Sequence, residues 1–157
     1  DAQQVVDTEI DVGTQGDIGW KNEVATHLMA LIADLVGKLP IDETRIYLTG
    51  SSMGGSGSWN LATNHPGVFA AVVPLCGGGD PKKAEALKDT PIWAFHGDQD
   101  MDVPLDRSKS MVDAIQALGG EKVKFTILAG EGHLIAGGVY ARTDMPEWMF
   151  AQRLERK

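Results

Sequence analysis

Apolar and polar positions along this chain recur with two different periods, and the switches between them mark its elements. Near the start, Val6, Thr8, Ile10 and Val12 alternate with Asp7, Glu9 and Asp11, a period of two that predicts a half-buried strand. Gly13 to Gly19 reads as a loop. From Trp20 to Leu39 the apolar residues Val24, Leu28, Leu31, Ile32, Leu35 and Val36 fall at helical spacing, and Pro40 follows the helix end. Ile41 to Thr44 connects to a β-prone run, Arg45-Ile46-Tyr47-Leu48-Thr49, which predicts a strand over 45–49. A small-residue helix over Gly54 to Asn64 follows and stops near His65-Pro66. Phe69 to Leu75 is a continuous apolar run, the signature of a strand buried on both faces. A short helix over residues 82–88 leads to a second buried strand, Pro91 to His96. An Asp-rich turn over 97–105 precedes a helix from Asp106 to Leu118, which Gly119-Gly120 ends. A fourth strand over Val123 to Leu128, a loop over 129–137 and a last helix over Pro146 to Leu154 complete the pattern.

Strands alternating with helices predict an α/β fold, a mostly parallel sheet with helices on both faces. No internal repeat, low-complexity tract or linker divides the sequence, so residues 1–157 read as a single domain. That length, with 43% hydrophobic residues, is enough for a core. No apolar run approaches a membrane span. The formal net charge of −8 argues against nucleic acid and anionic membrane surfaces as partners. Cys76 is the single cysteine, which excludes an internal disulfide and a thiolate metal cluster. No signal-peptide pattern is visible and the first residue is Asp1, so a processed or excerpted chain is expected and the compartment is left open.

The chemistry gathers at three strand ends. The strand 45–49 runs into Gly50-Ser51-Ser52-Met53-Gly54, and a helix follows. Strand, Gly-x-Ser-x-Gly, then helix is the setting in which the serine stands on a sharp, strained turn. The spacing selects Ser52, because Ser51 would need glycines at Thr49 and Met53. Gly50 and Gly54 are expected to be sterically required. At a helix N-terminus the free N–H groups and the dipole favour developing negative charge on a reacting oxygen. The second loaded end reads His96-Gly97-Asp98-Gln99-Asp100-Met101-Asp102, and the third reads Gly130-Glu131-Gly132-His133. In a parallel sheet such ends lie together. The order Ser, Asp, His is that of α/β-hydrolases. Intervals of 48 and 33 residues leave room for the intervening β–α units. Each member has a reason: a hydroxyl is a weak nucleophile until a base takes its proton, imidazole suits that task near neutrality, and a carboxylate fixes its tautomer and stabilises the imidazolium.

Other patterns fail on their spacing. Asp98-x-Asp100-x-Asp102 opens like a calcium loop, but Val103 and Lys109 stand where glycine and glutamate are needed. Gly55-x-Gly57 lacks a third glycine, since Asn60 stands there, and Gly77-Gly78-Gly79 lacks the following Lys-Ser/Thr of a phosphate loop. No cofactor or metal is therefore expected. His27 reads as a surface residue, His65 as a helix-end residue, and His96 as a strand-end residue held by local hydrogen bonds.

At these segments the sequence resembles serine esterases of the α/β-hydrolase superfamily, in particular the feruloyl-esterase-like and polyhydroxybutyrate-depolymerase-like proteins of the predicted-peptidase group. The resemblance covers residues 40–133, with Ile41 to Gly55, Val73 to Pro81, Trp93 to Pro104 and Gly130 to His133 as its motifs. It implies Ser52 as nucleophile, Asp100 as acid, His133 as base and the N–H of Met53 as one oxyanion donor. It implies a carboxylic ester hydrolase working through an acyl-enzyme on a small-molecule ester, and tilts the location toward secreted or periplasmic. A serine peptidase of the same fold and a catalytically weak remnant or binding module are the alternatives. The sequence departs from the group in two places. Leu134-Ile135-Ala136-Gly137 follows the histidine, where the group often has an aromatic residue. The early strands, one of whose loops supplies the second oxyanion donor, are reduced or absent. Strand 45–49 is then expected to be an edge covered by the segment Val6 to Val12, by a second copy of the chain in a homo-oligomer, or by a complementing N-terminal segment. In the first case the second oxyanion donor is expected near Gly13 to Gly19.

Overall fold

The computed structural model describes residues 22–155. The elements run in the order α1 (Asn22–Lys38), β1 (Tyr47–Ser51), α2 (Met53–Asn64), β2 (Ala71–Leu75), β3 (Ile92–Gly97), α3 (Asp106–Ala117), β4 (Val123–Leu128), α4 (Ala136–Tyr140) and α5 (Asp144–Ala151). Short 3-10 helices at Glu43–Arg45 and Pro81–Leu87 precede β1 and β3. The four strands are all parallel and lie side by side in chain order, β1-β2-β3-β4. This is the α/β architecture expected from the alternation of periods.

Strand pleating divides the core between two faces. Val72 of β2 and Ile92 and Ala94 of β3 point to one side, where they pack with Trp59 and Leu61 of α2, Met111, Val112 and Ile115 of α3, and Ala25 of α1. Ala71, Val73 and Leu75 of β2 and Phe95 of β3 point to the other, against Val139 of α4 and Met145 and Met149 of α5. Successive residues of one strand thus serve opposite faces. β2 is buried along its whole length, which explains its uninterrupted apolar sequence.

Several boundaries differ from expectation. The first strand begins at Tyr47 instead of Arg45. Asp42 caps the turn before it, its side chain accepting from the Thr44 backbone N–H at 3.0 Å and from the Thr44 hydroxyl at 2.6 Å. That local bonding holds Glu43–Arg45 in a 3-10 turn against its β propensity. The loop expected over 129–137 contains the start of α4. The last helix begins at Asp144 and stops at Ala151, earlier at both ends than the expected Pro146 to Leu154. Leu31 and Leu35, which fit the helical period of α1, are exposed, and its inward contacts come from Leu28, Met29 and Ile32.

Among the described residues β1 pairs on one side only, with β2. The chain end passes close to the start of β1: the Leu154 N–H donates to Thr44 O at 3.0 Å and the Tyr47 hydroxyl to Gln152 O at 3.0 Å. The segment Val6 to Val12, one of the covers expected for the other edge, lies outside the described residues.

Close approach of α2 to the end of β2 rests on missing side chains. A Cβ on Gly55 would collide with the carbonyl oxygen of Leu75, and one on Gly77 with the backbone of Gly55 and Ser56. Gly77→Ala is therefore expected to destabilise the fold by about 1–3 kcal/mol, as overpacked sites do. Gly137→Ala, where an added Cβ meets nothing within 4 Å, is the control. Urea denaturation of both variants measures the difference, and equal midpoints would contradict this account of the contact.

Candidate active site

The register of the sheet sets the site. Ser51 pairs with Leu75, Leu75 with Phe95, and Gly97 with Leu128. The segments that follow β1, β2, β3 and β4 therefore leave the sheet at one edge, beside one another.

Ser52 turns the chain from β1 into α2 with φ 58° and ψ −115°. A non-glycine residue with positive φ is costly and persists only where its surroundings hold it. Here the Ser52 N–H donates to Leu75 O at 2.9 Å, and the Ser52 carbonyl accepts from the Ser56 N–H at 3.0 Å. Gly50 is needed, because a Cβ there would run into the backbone of Gly54. The matching expectation for Gly54 is corrected: a Cβ on Gly54 meets nothing within 4 Å among the described residues. The crowding is one-sided, since Gly54 takes part in it through its backbone. Met53 occupies the first position of α2 with its side chain exposed. Its N–H belongs to the first turn, which has no intrahelical acceptor.

His133 joins the other two members. Its Nε2 lies 2.7 Å from Ser52 Oγ and its Nδ1 lies 2.8 Å from Asp100 Oδ2. The three residues singled out in the sequence thus form one hydrogen-bonded line across three strand ends. Asp100 is buried, and its Oδ1 accepts from the backbone N–H groups of Asp102 at 3.0 Å and Val103 at 2.8 Å. Burial pushes its carboxyl up, but the Val103 N–H, the His133 ring, the Asp102 N–H and the Cys76 thiol outweigh burial and hold it below the usual carboxylate value.

Two loops are stitched together to place Asp100 and His133. Asp98 Oδ1 accepts from the Gly130 N–H at 2.7 Å, and the Gln99 N–H donates to Glu131 O at 2.9 Å. A Cβ on Gly97 would collide with the carbonyl oxygens of Glu131 and Gly132. Gly130 turns with φ 77°. Asp98 thus secures the histidine loop while Asp100 meets the histidine, so the alternating aspartates serve separate ends.

Sequence reasoning missed the layer beneath. Cys76 ends β2 with φ 45° and is buried. Its thiol is pushed up to about 12, first by burial and then by Asp100, to which it donates. His96 is fully buried, with Nδ1 2.8 Å from Ser108 Oγ and Nε2 2.9 Å from Val103 O. Its expected place at a strand end held by hydrogen bonds is what the structure has, but nothing in the sequence pairs it with Ser108. His65 closes α2 and His27 lies exposed on α1, as expected. Leu134, after His133, is exposed, whereas Ile135 is buried. The loop from Gly13 to Gly19, where a second oxyanion donor was expected, lies outside the described residues.

A parallel sheet with a strand that ends in a strained serine turn, and with a carboxylate and a histidine on the loops after two later strands, defines the α/β-hydrolase class. Comparison with known proteins gives the family. The phospholipase/carboxylesterase family model matches residues 13–140. Over 104 residues the chain is 30% identical to NocK of Nocardia uniformis subsp. tsuyamanensis, a provisionally assigned esterase, covering 65% of this chain and 30% of NocK. A thermostable esterase of solved structure superposes with a TM-score of 0.82 and 35% identity, over 87% of this chain and 38% of its own. Esterase PE8 superposes with a TM-score of 0.68 and 25% identity, over 81% of this chain and 60% of its own. The chain belongs to the phospholipase/carboxylesterase family of α/β-hydrolases. It spans about a third of the length of NocK and of the thermostable esterase.

The charge state of Asp100 makes a stability prediction. A carboxyl held below its unfolded value stabilises the fold above the unfolded pKa, and that contribution is lost as pH falls through the folded one. Asp100→Asn is expected to show a smaller drop in denaturation midpoint between about pH 6 and pH 3 than the parent chain. An equal drop in both would contradict it.

Proposed function

We propose that this chain carries the catalytic centre of a serine hydrolase that cleaves carboxylic esters through an acyl-enzyme. The observation that carries this reading is the line Ser52 Oγ, His133 Nε2, His133 Nδ1, Asp100 Oδ2, with both gaps under 3 Å. His133 accepts the Ser52 proton as Oγ attacks the ester carbonyl. Asp100 holds the ring so that Nε2 is the accepting nitrogen and stabilises the imidazolium that forms. The Met53 N–H, at the start of α2, donates to the oxyanion. His133 then returns the proton to the leaving alcohol, and water repeats the sequence to release the acid. Names of the family and of its relatives support an ester as substrate. Exposed Met53, Met101 and Leu134 each follow a member of the triad in sequence, which suits a small or aryl-linked ester with apolar substituents.

Hydrolysis of a p-nitrophenyl ester tests the reading, with the matched anilide distinguishing a peptidase. Ser52→Ala and His133→Ala are each expected to lower turnover by about ten-thousand-fold or more, as when a triad is broken. Asp100→Asn is expected to cost more than Asp98→Asn or Asp102→Asn. Turnover is expected to rise from about pH 5 to pH 8, because the base must be neutral to accept a proton. Ordinary activity in the Ser52 or His133 variant, or a flat pH profile, would overturn the assignment.

A further inference from the structure

Three of the arginines among the described residues have an acceptor. Arg45 donates to the Tyr47 hydroxyl, Arg142 donates to Asp144, and Arg153 pairs with Asp42. The guanidinium of Arg107 has no such partner among the described residues, although its Nη1 is shut off from solvent. A guanidinium stays charged in any protein environment. Burying part of that charge without a counterion costs stability, so a group of this kind calls for an explanation.

Arg107 lines a cleft of about 770 Å³ between the segment after β2, residues 79–82, and the start of α3. Three carboxylates share the cleft, and each is engaged elsewhere. Asp80 accepts from the Lys82 backbone N–H at 3.0 Å, Asp113 pairs with Lys109, and Asp106 stands in the first turn of α3, where the helix dipole favours an acid. With Lys109 held by Asp113, the remaining charges are Lys82 and Arg107 against Asp80 and Asp106. The cleft also adjoins the serine turn. The Gly78 N–H donates to Ser56 Oγ at 3.1 Å, one turn beyond Ser52, and a Cβ on Gly78 would stand 2.8 Å from that of Arg107.

We propose that this cleft is a carboxylate-binding subsite, in which Arg107 takes the carboxylate and Lys82 faces it from the opposite wall. A planar guanidinium offers paired N–H donors that match the two oxygens of a carboxylate. With Nη1 shut into the protein, the pair left for a ligand is Nε and Nη2. The balance of charge around the cleft leaves no surplus for a dianion, so a monoanionic carboxylate suits it better than a phosphate. Two sources can supply that group: the far end of the ester itself, as in a half-ester of a dicarboxylic acid, or a separate acid such as the product. The first rests on the hydrolase reading above, and the second does not.

The test uses the intact chain. Free glutarate is titrated into chain carrying nitrogen-15 arginine, and the Nε–H signals are followed, with that of Arg107 assigned by its loss in Arg107→Gln. A saturable shift at Arg107, larger than at Arg142 and Arg153, is expected. Turnover is then compared on mono-p-nitrophenyl glutarate and p-nitrophenyl pentanoate, whose acyl chains have equal length and differ in the terminal carboxylate. The ratio of kcat/KM for glutarate over pentanoate is expected to fall about tenfold in Arg107→Gln, through KM, and by less in Lys82→Gln. The ratio is read within each variant, so a general loss of activity cancels. A fallen ratio assigns the subsite to the ester, and a shift at Arg107 with an unmoved ratio assigns it to a separate acid. The proposal is overturned if neither responds, or if Arg153→Gln lowers the ratio equally, which is an effect of net charge alone. If Arg107→Gln does not fold, Lys82→Gln and the titration of the parent chain, assigned through Arg107→Lys, decide. Failure of the hydrolase reading is separable, because a chain that turns over neither ester still answers the glutarate titration.

Discussion

Everything at this site depends on how closely the first turn of α2 approaches the ends of β1 and β2. Three glycines, at 50, 55 and 77, remove the side chains that would hold these backbones apart. The contact forces Ser52 into positive φ, a strain of about 1–3 kcal/mol. In return its N–H is fixed on Leu75 O, and its hydroxyl stands clear of the sheet within reach of His133. The serine is presented by backbone packing, and the fully buried side chains Trp59, Leu61 and Leu75 brace that packing from both faces.

From that turn a closed circuit of contacts runs through the strand ends. Ser52 meets His133, His133 meets Asp100, and Asp100 meets His96. His96 meets Ser108, Ser108 donates to Gly77 O, and the backbone of Gly77 lies against that of Gly55 and Ser56, one turn beyond Ser52. Each strand end is thereby held by its neighbours as well as by its own strand. Such a network gives Ser52, His133 and Asp100 a single arrangement, because displacing any member leaves a buried polar group without its partner.

Much of this was legible in the sequence, for identifiable reasons. Ser52, Asp100 and His133 follow from the serine motif and the order of strand ends, since parallel strands deliver their carboxyl ends to one edge. The buried strand expected over 69–75, which the structure begins at Ala71, was visible because both its faces are covered. The start of β1 was misplaced because the Asp42 side chain captures Thr44, a local bond that outweighs the β propensity of Arg45 and Ile46. α4 was hidden because Ala136-Gly137-Gly138-Val139-Tyr140 is a weak helix former, which burial of Ile135 and Val139 stabilises. The partnership of His96 with Ser108, and of Cys76 with Asp100, was out of reach because those pairs exist only once α3 and two strand ends have packed. The necessity assigned to Gly54 was wrong in detail, since pattern alone could not tell which glycine lacks room.

The central claim is that Ser52 is an activated nucleophile because His133 and Asp100 are assembled on it. Covalent labelling by a fluorophosphonate, located by peptide mass spectrometry, tests this most directly. The account predicts one phosphonyl adduct, on Ser52, formed rapidly in the folded chain and not formed in chain denatured beforehand or in His133→Ala. Absence of an adduct on folded chain, or labelling of another serine in place of Ser52, would contradict it.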